Sequence, residues 1–361
     1  MLAACTVGVA GESSRNTQPT DDPGRDDLVA AARADGTLTT IALARTWCGY
    51  GAIIDGFKSD YGIAVTELDP NAISGDQVEV LRDGATGSGP QSPDVVDLGL
   101  SYGPEVREAG LVAPYRVAAW DSIRDEAKDP DGHWWGAYYG VVAFEVNADK
   151  VADLPTDWDD LLRPEYRGRV SLAGDPHTSS QAIAAIFAAS LASGGSLDDV
   201  APGIDYFRRL SDSGNLTDRA ATSKDVLKGR TPIAIRWTYN ALADRAQGRA
   251  EKGPKIAVVV PRSGRLAVPF VQAIAASASH PSAARLWQEH LMTEDVQKAF
   301  LAGGCHPIRF DELMERGIID RDVLADLPET GGAAFPTATQ LAAATSAIET
   351  GWDDAVGLTI E

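Results

Sequence analysis

The stretch RVSLAGDPHTSSQAIAAIFAAS (residues 169–190) decides the fold class. RVSLAG alternates and is bounded by glycine, the pattern of a short strand. From Gln181 onward Ile183, Ile186, Phe187 and Leu191 recur at helical spacing, and Gly194 and Gly195 supply a stop. The unit is therefore strand, turn, helix. Thr178, Ser179 and Ser180 stand where the helix begins. Such hydroxyls cap free backbone N–H groups. The same N–H groups, with the positive end of the helix dipole, also attract anions. One hydroxyl suffices as a cap, so a run of them points to further donors aimed outward. An ordinary cap followed by polar turn residues accounts for the same letters.

The alternation recurs on both sides of this stretch. LVAAARADG (28–36) reads as a helix and TLTTIALA (37–44) as a strand. RTWCGYG then turns into a helix carrying Ile53, Ile54 and Phe57. IAVTEL (63–68) is a strand, a helix with Val78, Val80 and Leu81 follows, GATGSGPQSP is a loop, and DVVDLGL (94–100) is a strand. Strands alternating with helices predict parallel βαβ units, whose ligands bind beyond the carboxyl ends of the strands. Those ends bring Trp47, Cys48, Gly49 and Tyr50 together with Ser101 and Tyr102. Downstream, VVAFEVN (141–147), TPIAIRW (231–237), KIAVVVP and LAVPFVQAIAAS read as strands. PTDWDDLLRPEYRGR reads as helix then loop, and the chain from His280 is largely helical. Two α/β lobes follow, with the chain crossing between them near Tyr139–Glu145 and Val259–Val271. The expected division is a tether at 1–27, a first lobe from 28–142 plus 265–361, and a second lobe at 143–264.

The chain has 361 residues, 44% hydrophobic and 23% charged, which suits soluble lobes with real cores. A net charge of -20 repels phosphates and argues against nucleic acid. No apolar run is long enough to span a bilayer. CGYGAIID lacks the third glycine of a dinucleotide fingerprint, and GATGSGP lacks the Lys-Ser/Thr ending of a P-loop. The five histidines form no HExxH or close pair, so neither a metal nor a cofactor is expected. GxSxG is absent, and Ser179 has no evident base beside it, so no catalytic residue is assigned. GHWWGAYYG (132–140) concentrates aromatic rings, among them Trp135, Tyr138 and Tyr139; Trp237 and Tyr239 add others at a strand end. Any one ring is an ordinary core residue. As a set they suit an amine or an apolar stem. Arg236 and the hydroxyl-rich helix start suit an anion, and Asp97 and Asp175 are candidates for holding a cation, though the sequence places neither clearly.

Several motifs recur in one order: LAAC ending in Cys5, the polar tether GESSRNTQPTDDPGRDD, TWCGYG, WWGAYYGVVAFEVN, DPHTSSQA, IRWTYNA and GCHPIRF. Together they resemble the substrate-binding lipoproteins of ABC importers, extracellular solute-binding family 1, in the subgroup for polyamines, ferric iron or phosphonates. The resemblance covers residues 28 to 361. It implies a type II periplasmic-binding fold: two α/β lobes joined by hinge strands that close over a ligand in the cleft. It implies binding without catalysis, and delivery to a membrane permease with a cytoplasmic ATPase. The protein would be a monomer, extracytoplasmic and anchored to the outer face of the cytoplasmic membrane by lipid on Cys5. Outside the cytoplasm Cys48 and Cys305 are free to form a disulfide, and as buried small residues they need not. Matched position by position, Thr178, Ser179 and Ser180 fall on the family's helix-start contacts and Trp47 to Tyr50 on its first-strand loop. Tyr138 and Tyr139 fall on the pre-hinge aromatics, and Trp237, Tyr239 and Asn240 on the second-lobe loop. Iron binders place adjacent tyrosines in the second lobe, and here the pair precedes the first crossing. The expected ligand is small and anionic or zwitterionic, such as an aminophosphonate. The alternatives are a polyamine (spermidine or putrescine) or ferric iron within the family, a secreted α/β enzyme, and a receptor module serving a sensor.

Overall fold

The computed structural model describes residues 23–87, 92–319 and 321–361. Cys5 and most of the expected tether lie outside them. The strands are β1 (Thr37–Ile41), β2 (Ala64–Leu68), β3 (Val95–Gly99), β4 (Val112–Ala113), β5 (Trp135–Asn147), β6 (Val170–Leu172), β7 (Ile233–Trp237), β8 (Ile256–Val259), β9 (Ala267–Ala275) and β10 (His306–Pro307). The helices before β6 are α1 (Pro23–Asp35), α2 (Tyr50–Tyr61), α3 (Ser74–Thr86) and α4 (Tyr102–Glu108). Those between β6 and β8 are α5 (Ser180–Ala192), α6 (Ala201–Asp212), α7 (Ser223–Leu227) and α8 (Thr238–Ala250). The last are α9 (Pro281–Leu291), α10 (Glu294–Ala302), α11 (Phe310–Glu315), α12 (Arg321–Ala325) and α13 (Ala338–Ala355). Helix α1 takes in Pro23 to Asp27, which the sequence reading gave to the tether. Proline is tolerated in a first turn, and Asp26 there suits the positive helix end.

The strands pair in the order β2-β1-β3-β9-β5-β7-β6. β1 runs parallel to β2 and β3, and β6 runs parallel to β7. The long strand β5 joins the two groups. Its Trp135–Val141 half pairs with β9, and its Val142–Asn147 half pairs with β7 and β8. Every residue of β5 is buried, because helices or strands cover it on both faces. The aromatic GHWWGAYYG stretch therefore lies mostly within this strand rather than ahead of it. The PTDWDDLLRPEYRGR segment also departs from expectation. It forms short 3-10 turns at Trp158–Leu162 and Pro164–Tyr166, with Asp157 capping the first and a proline opening the second.

α5 is apolar on every side, and Ala182 to Ser190 are all buried. Such a helix needs cover all round. β7 supplies it on one side, and α6 and α13 on the other. α13 turns Leu341, Ala344, Ile348 and Trp352 inward, with Trp352 5.9 Å from the Phe207 ring of α6. Beyond α13, Glu361 exchanges backbone hydrogen bonds with Asp218 and Ala220. The C-terminal helix thus packs on α5 and α6 of residues 143–264 and also meets α4 of residues 28–142.

Cys48 and Cys305 are joined in a disulfide across 257 residues. A bridge of this kind typically stabilises a fold by about 2–4 kcal/mol. It fastens the turn after β1 to the end of α10. Gly49 has φ 78, and a side chain there would meet the Ala299 carbonyl oxygen at 2.5 Å. Only glycine satisfies both demands.

Candidate ligand cleft

A cavity of about 310 Å³ opens where three strand ends meet. Leu100, Ser101 and Tyr102 enter from the end of β3. His177, Thr178 and Ser180 enter from the turn after β6, and Trp237 from the end of β7. Val268, Pro269 and Phe270 of β9 and Leu341, Thr345 and Glu349 of α13 complete much of the wall. β3, β6 and β7 each have a parallel neighbour, so this is the carboxyl-end position where α/β sheets hold ligands. Hollows of comparable size between α6 and α13, and beside Asp218, contain none of these strand-end residues.

The three hydroxyls at the start of α5 divide their work. Ser179 is the cap: its Oγ accepts from the Ala182 N–H at 3.4 Å and donates to the Ala173 carbonyl at 2.8 Å. Its hydroxyl is thus used within the turn, and Ser179 is not among the residues lining the cavity. The Thr178 and Ser180 hydroxyls are exposed and lack a hydrogen-bond partner among the described residues, as do the N–H groups of Ser180 and Gln181. Asp175 builds the turn. Its Oδ1 accepts from the His177 N–H at 3.0 Å and is 2.7 Å from His177 Nδ1. Burial pushes its carboxyl up, but the bonds from His177 outweigh this and hold it below the usual range. Its Oδ1 is thus committed to the turn. The hydrogen bond to Asp175 in turn raises His177, and the charges of Asp175, Asp353 and Glu349 add to that. His177 was not singled out in the sequence, although it sits inside DPHTSS.

Other expected contacts lie elsewhere. Arg236 is 7% exposed, and its Nη1 donates to Glu145 at 3.0 Å and to Asp244 at 3.1 Å. It neighbours Trp237 on a strand and so points to the opposite face. That removes the arginine expected to hold an anion. Burial pushes Glu145 up to about 8 against the pull of Arg236, with Asp244 adding to the rise. Asp97 is buried and accepts from the Tyr50 hydroxyl at 2.5 Å and the Tyr138 hydroxyl at 2.9 Å. Burial pushes it up to about 6 in spite of those bonds. Asp97, Tyr50 and Tyr138 are thus a closed core triad and not open ligand contacts. Tyr139, one residue on, faces away and stacks on His306 at 5.2 Å. Trp135 is 1% exposed within β5. Asn240 is outside the cavity wall, and its Oδ1 is buried without a partner among the described residues.

Phe270, which the sequence reading passed over, links the cavity to the aromatic core. It lines the wall, stacks on Tyr138 at 5.4 Å and meets the edges of Trp47 at 5.5 Å and Tyr239 at 6.3 Å. Tyr239 also stacks on Trp237 at 6.4 Å. Of the expected set, the cavity therefore gathers Ser101, Tyr102, Thr178, Ser180 and Trp237. Trp47 and Tyr239 contact Phe270 without lining the cavity, while Cys48 and Gly49 belong to the disulfide turn. Among the described residues no group of three or more His, Cys, Asp or Glu is placed to hold a metal ion. No described helix is long and apolar enough to cross a membrane.

Solved structures share this architecture. The periplasmic binding protein AfuA of Actinobacillus pleuropneumoniae, with fructose-6-phosphate bound, is 19% identical with a TM-score of 0.67, covering 90% of this chain and 99% of its own. Iron-bound HitA of Pseudomonas aeruginosa is 20% identical with a TM-score of 0.63, covering 87% and 98%. The apo ferric ion-binding protein A of Pasteurella haemolytica is 18% identical with a TM-score of 0.67, covering 90% and 98%. No curated relative matches the chain in sequence. These likenesses establish the two-lobed periplasmic-binding fold. The model of the bacterial extracellular solute-binding proteins matches residues 91–336, well over half of the chain. The chain belongs to that family, the extracytoplasmic substrate-binding components of ABC importers, which bind small ligands and deliver them to a membrane permease.

Proposed function

We propose that the cavity captures a small zwitterion with a short apolar body, such as an aminophosphonate, for import. The observation that carries this reading is the α5 N-terminus. The free Ser180 N–H and the free hydroxyls of Thr178 and Ser180 line one cavity of about 310 Å³ with the rings of Tyr102, Trp237 and Phe270, and the unbonded Gln181 N–H follows in the same helix turn. The donors and the helix dipole suit a carboxylate, sulfonate or phosphonate. The rings suit an amine or a methylene stem. No Lys or Arg is among the wall residues, which weighs against a dianionic sugar phosphate. Ferric iron is less well served, because the Tyr138 hydroxyl is bonded to Asp97 and Tyr139 faces the other way. A polyamine is the second reading, favoured by Glu349 in the wall and Asp353 near His177.

In this reading the protein binds without catalysis. Lipid on Cys5 tethers it, and the lobes close about β5 and the β8–β9 connection. The first lobe spans residues 28–142 and the return through α12; the second spans 143–264 together with α13. A thermal-shift panel on the soluble chain tests the ligand class. It contains aminophosphonates, amino sulfonates, amino acids, phosphate, putrescine, spermidine and ferric citrate. A ligand at 100 times its dissociation constant adds about 2.7 kcal/mol of stability, a shift of several degrees. Zwitterions are expected to shift the protein. A shift with amines alone favours the polyamine, and a shift with ferric citrate alone overturns the proposal.

A further inference from the structure

α13 forms a wall of the cavity that the sequence gave no reason to notice. Leu341, Thr345 and Glu349 recur every fourth residue and so share one stripe of the helix, and all three line the cavity. The next position in the row, Asp353, lies 3.5 Å from Nε2 of His177. The buried seam of Ala344, Ile348 and Trp352 holds the helix against the second lobe, so the stripe is carried on a packed element. Glu349 itself makes no ion pair or hydrogen bond with a described residue. A carboxylate facing a cavity alongside Tyr102 and Trp237, with no Lys or Arg among the described residues that line it, is a match for an ammonium group of the ligand.

We propose that Glu349 is the specificity-determining residue that reads the cationic end of the ligand, so that the C-terminal helix selects zwitterions over simple anions. The inference rests on the reading of the cleft given above. The two ends of the ligand are then recognised by different elements. The open start of α5 holds the anionic group, and Glu349 pairs with the amine. Glu349 also repels a ligand that brings negative charge alone, and such rejection contributes to specificity as much as attraction does.

Matched pairs of probes separate the two halves of this account. β-Alanine and propionate, taurine and ethanesulfonate, and 2-aminoethylphosphonate and ethylphosphonate each differ by the amine alone. Calorimetric titration of the wild-type chain and of Glu349→Gln gives the affinity ratio within each pair. The wild type is expected to prefer the amine-bearing member of at least one pair by roughly 10-fold, the value of one charge-assisted contact. Glu349→Gln is expected to bring that ratio close to one, by weakening the zwitterion and leaving or improving the simple anion. Glu349 is exposed and unpaired, so an unchanged melting temperature confirms that the variant is folded. A wild-type preference that survives in Glu349→Gln overturns the role of Glu349 and leaves the cleft reading standing. Equal binding of both members by the wild type does the same. Failure of the wild type to bind any of the zwitterions overturns the cleft reading itself, and this inference with it.

Discussion

Ser179 and Ser180 are adjacent hydroxyls with opposite expected consequences when removed. Ser179→Ala deletes the cap on the Ala182 N–H and the bond to the Ala173 carbonyl. Loss of a serine cap costs about 1 kcal/mol, and the second bond contributes about as much again. The expected loss is about 1–2 kcal/mol, a fall in melting temperature of roughly 1–3 °C for a chain of this size. Ser180→Ala deletes a hydroxyl with no protein partner, so stability is expected to hold within about 0.5 kcal/mol. Affinity reverses the order. A hydroxyl bonded to a charged oxygen contributes about 1.5–3 kcal/mol, so Ser180→Ala weakens a bound zwitterion by roughly 10-fold or more. Ser179→Ala changes affinity by only about 3-fold or less, through a less rigid helix start. Thermal melts without ligand and calorimetry with the best compound from the panel measure both quantities on the same preparations. Equal destabilisation by the two variants, or an affinity loss confined to Ser179→Ala, would refute the division of labour at the start of α5.

Two further outcomes follow from buried polar groups of the core. Arg236→Met strands Glu145 and Asp244 in the core and is expected to destabilise by about 3–5 kcal/mol, while affinity measured well below the melting range stays within about 2-fold; a stable variant that had lost its ligand would return Arg236 to the site. Asp97 is pushed up to about 6 by burial, from an ordinary value of 3.8, so between these values the folded chain keeps a proton that the unfolded chain releases. Stability from this group therefore falls as pH rises through that window, by up to about 3 kcal/mol. Asp97→Asn does not titrate, so its stability relative to wild type, by urea unfolding, should rise from pH 4 to pH 7. A difference that is constant with pH contradicts the buried triad.

Much of the fold was legible because it follows from period and punctuation. DVVDLGL, TPIAIRW and the helix after DPHTSS are local patterns, and each formed the element its pattern predicts. The strand through Tyr139–Glu145 was legible because an apolar run of that length reads as a buried strand. What stayed hidden was non-local. The direction of Arg236 depends on two acids, Glu145 and Asp244, and Glu145 lies 91 residues away. The sealing of Asp97 depends on tyrosines from α2 and β5. Glu349 is one acid on a surface helix until α13 is seen packed on α5, which no spacing near residue 349 announces. Ser179 and Ser180 differ only in which backbone atoms they meet, and three-dimensional placement decides that.

The central claim is that the open start of α5 holds the anionic group of a small zwitterion. A crystal structure of the chain with the best zwitterion from the panel tests it most directly. The account predicts an anionic oxygen about 3 Å from the N–H groups of Ser180 and Gln181, with the Thr178 and Ser180 hydroxyls turned toward it. A ligand seated away from α5, or presenting its amine to these N–H groups, would contradict it.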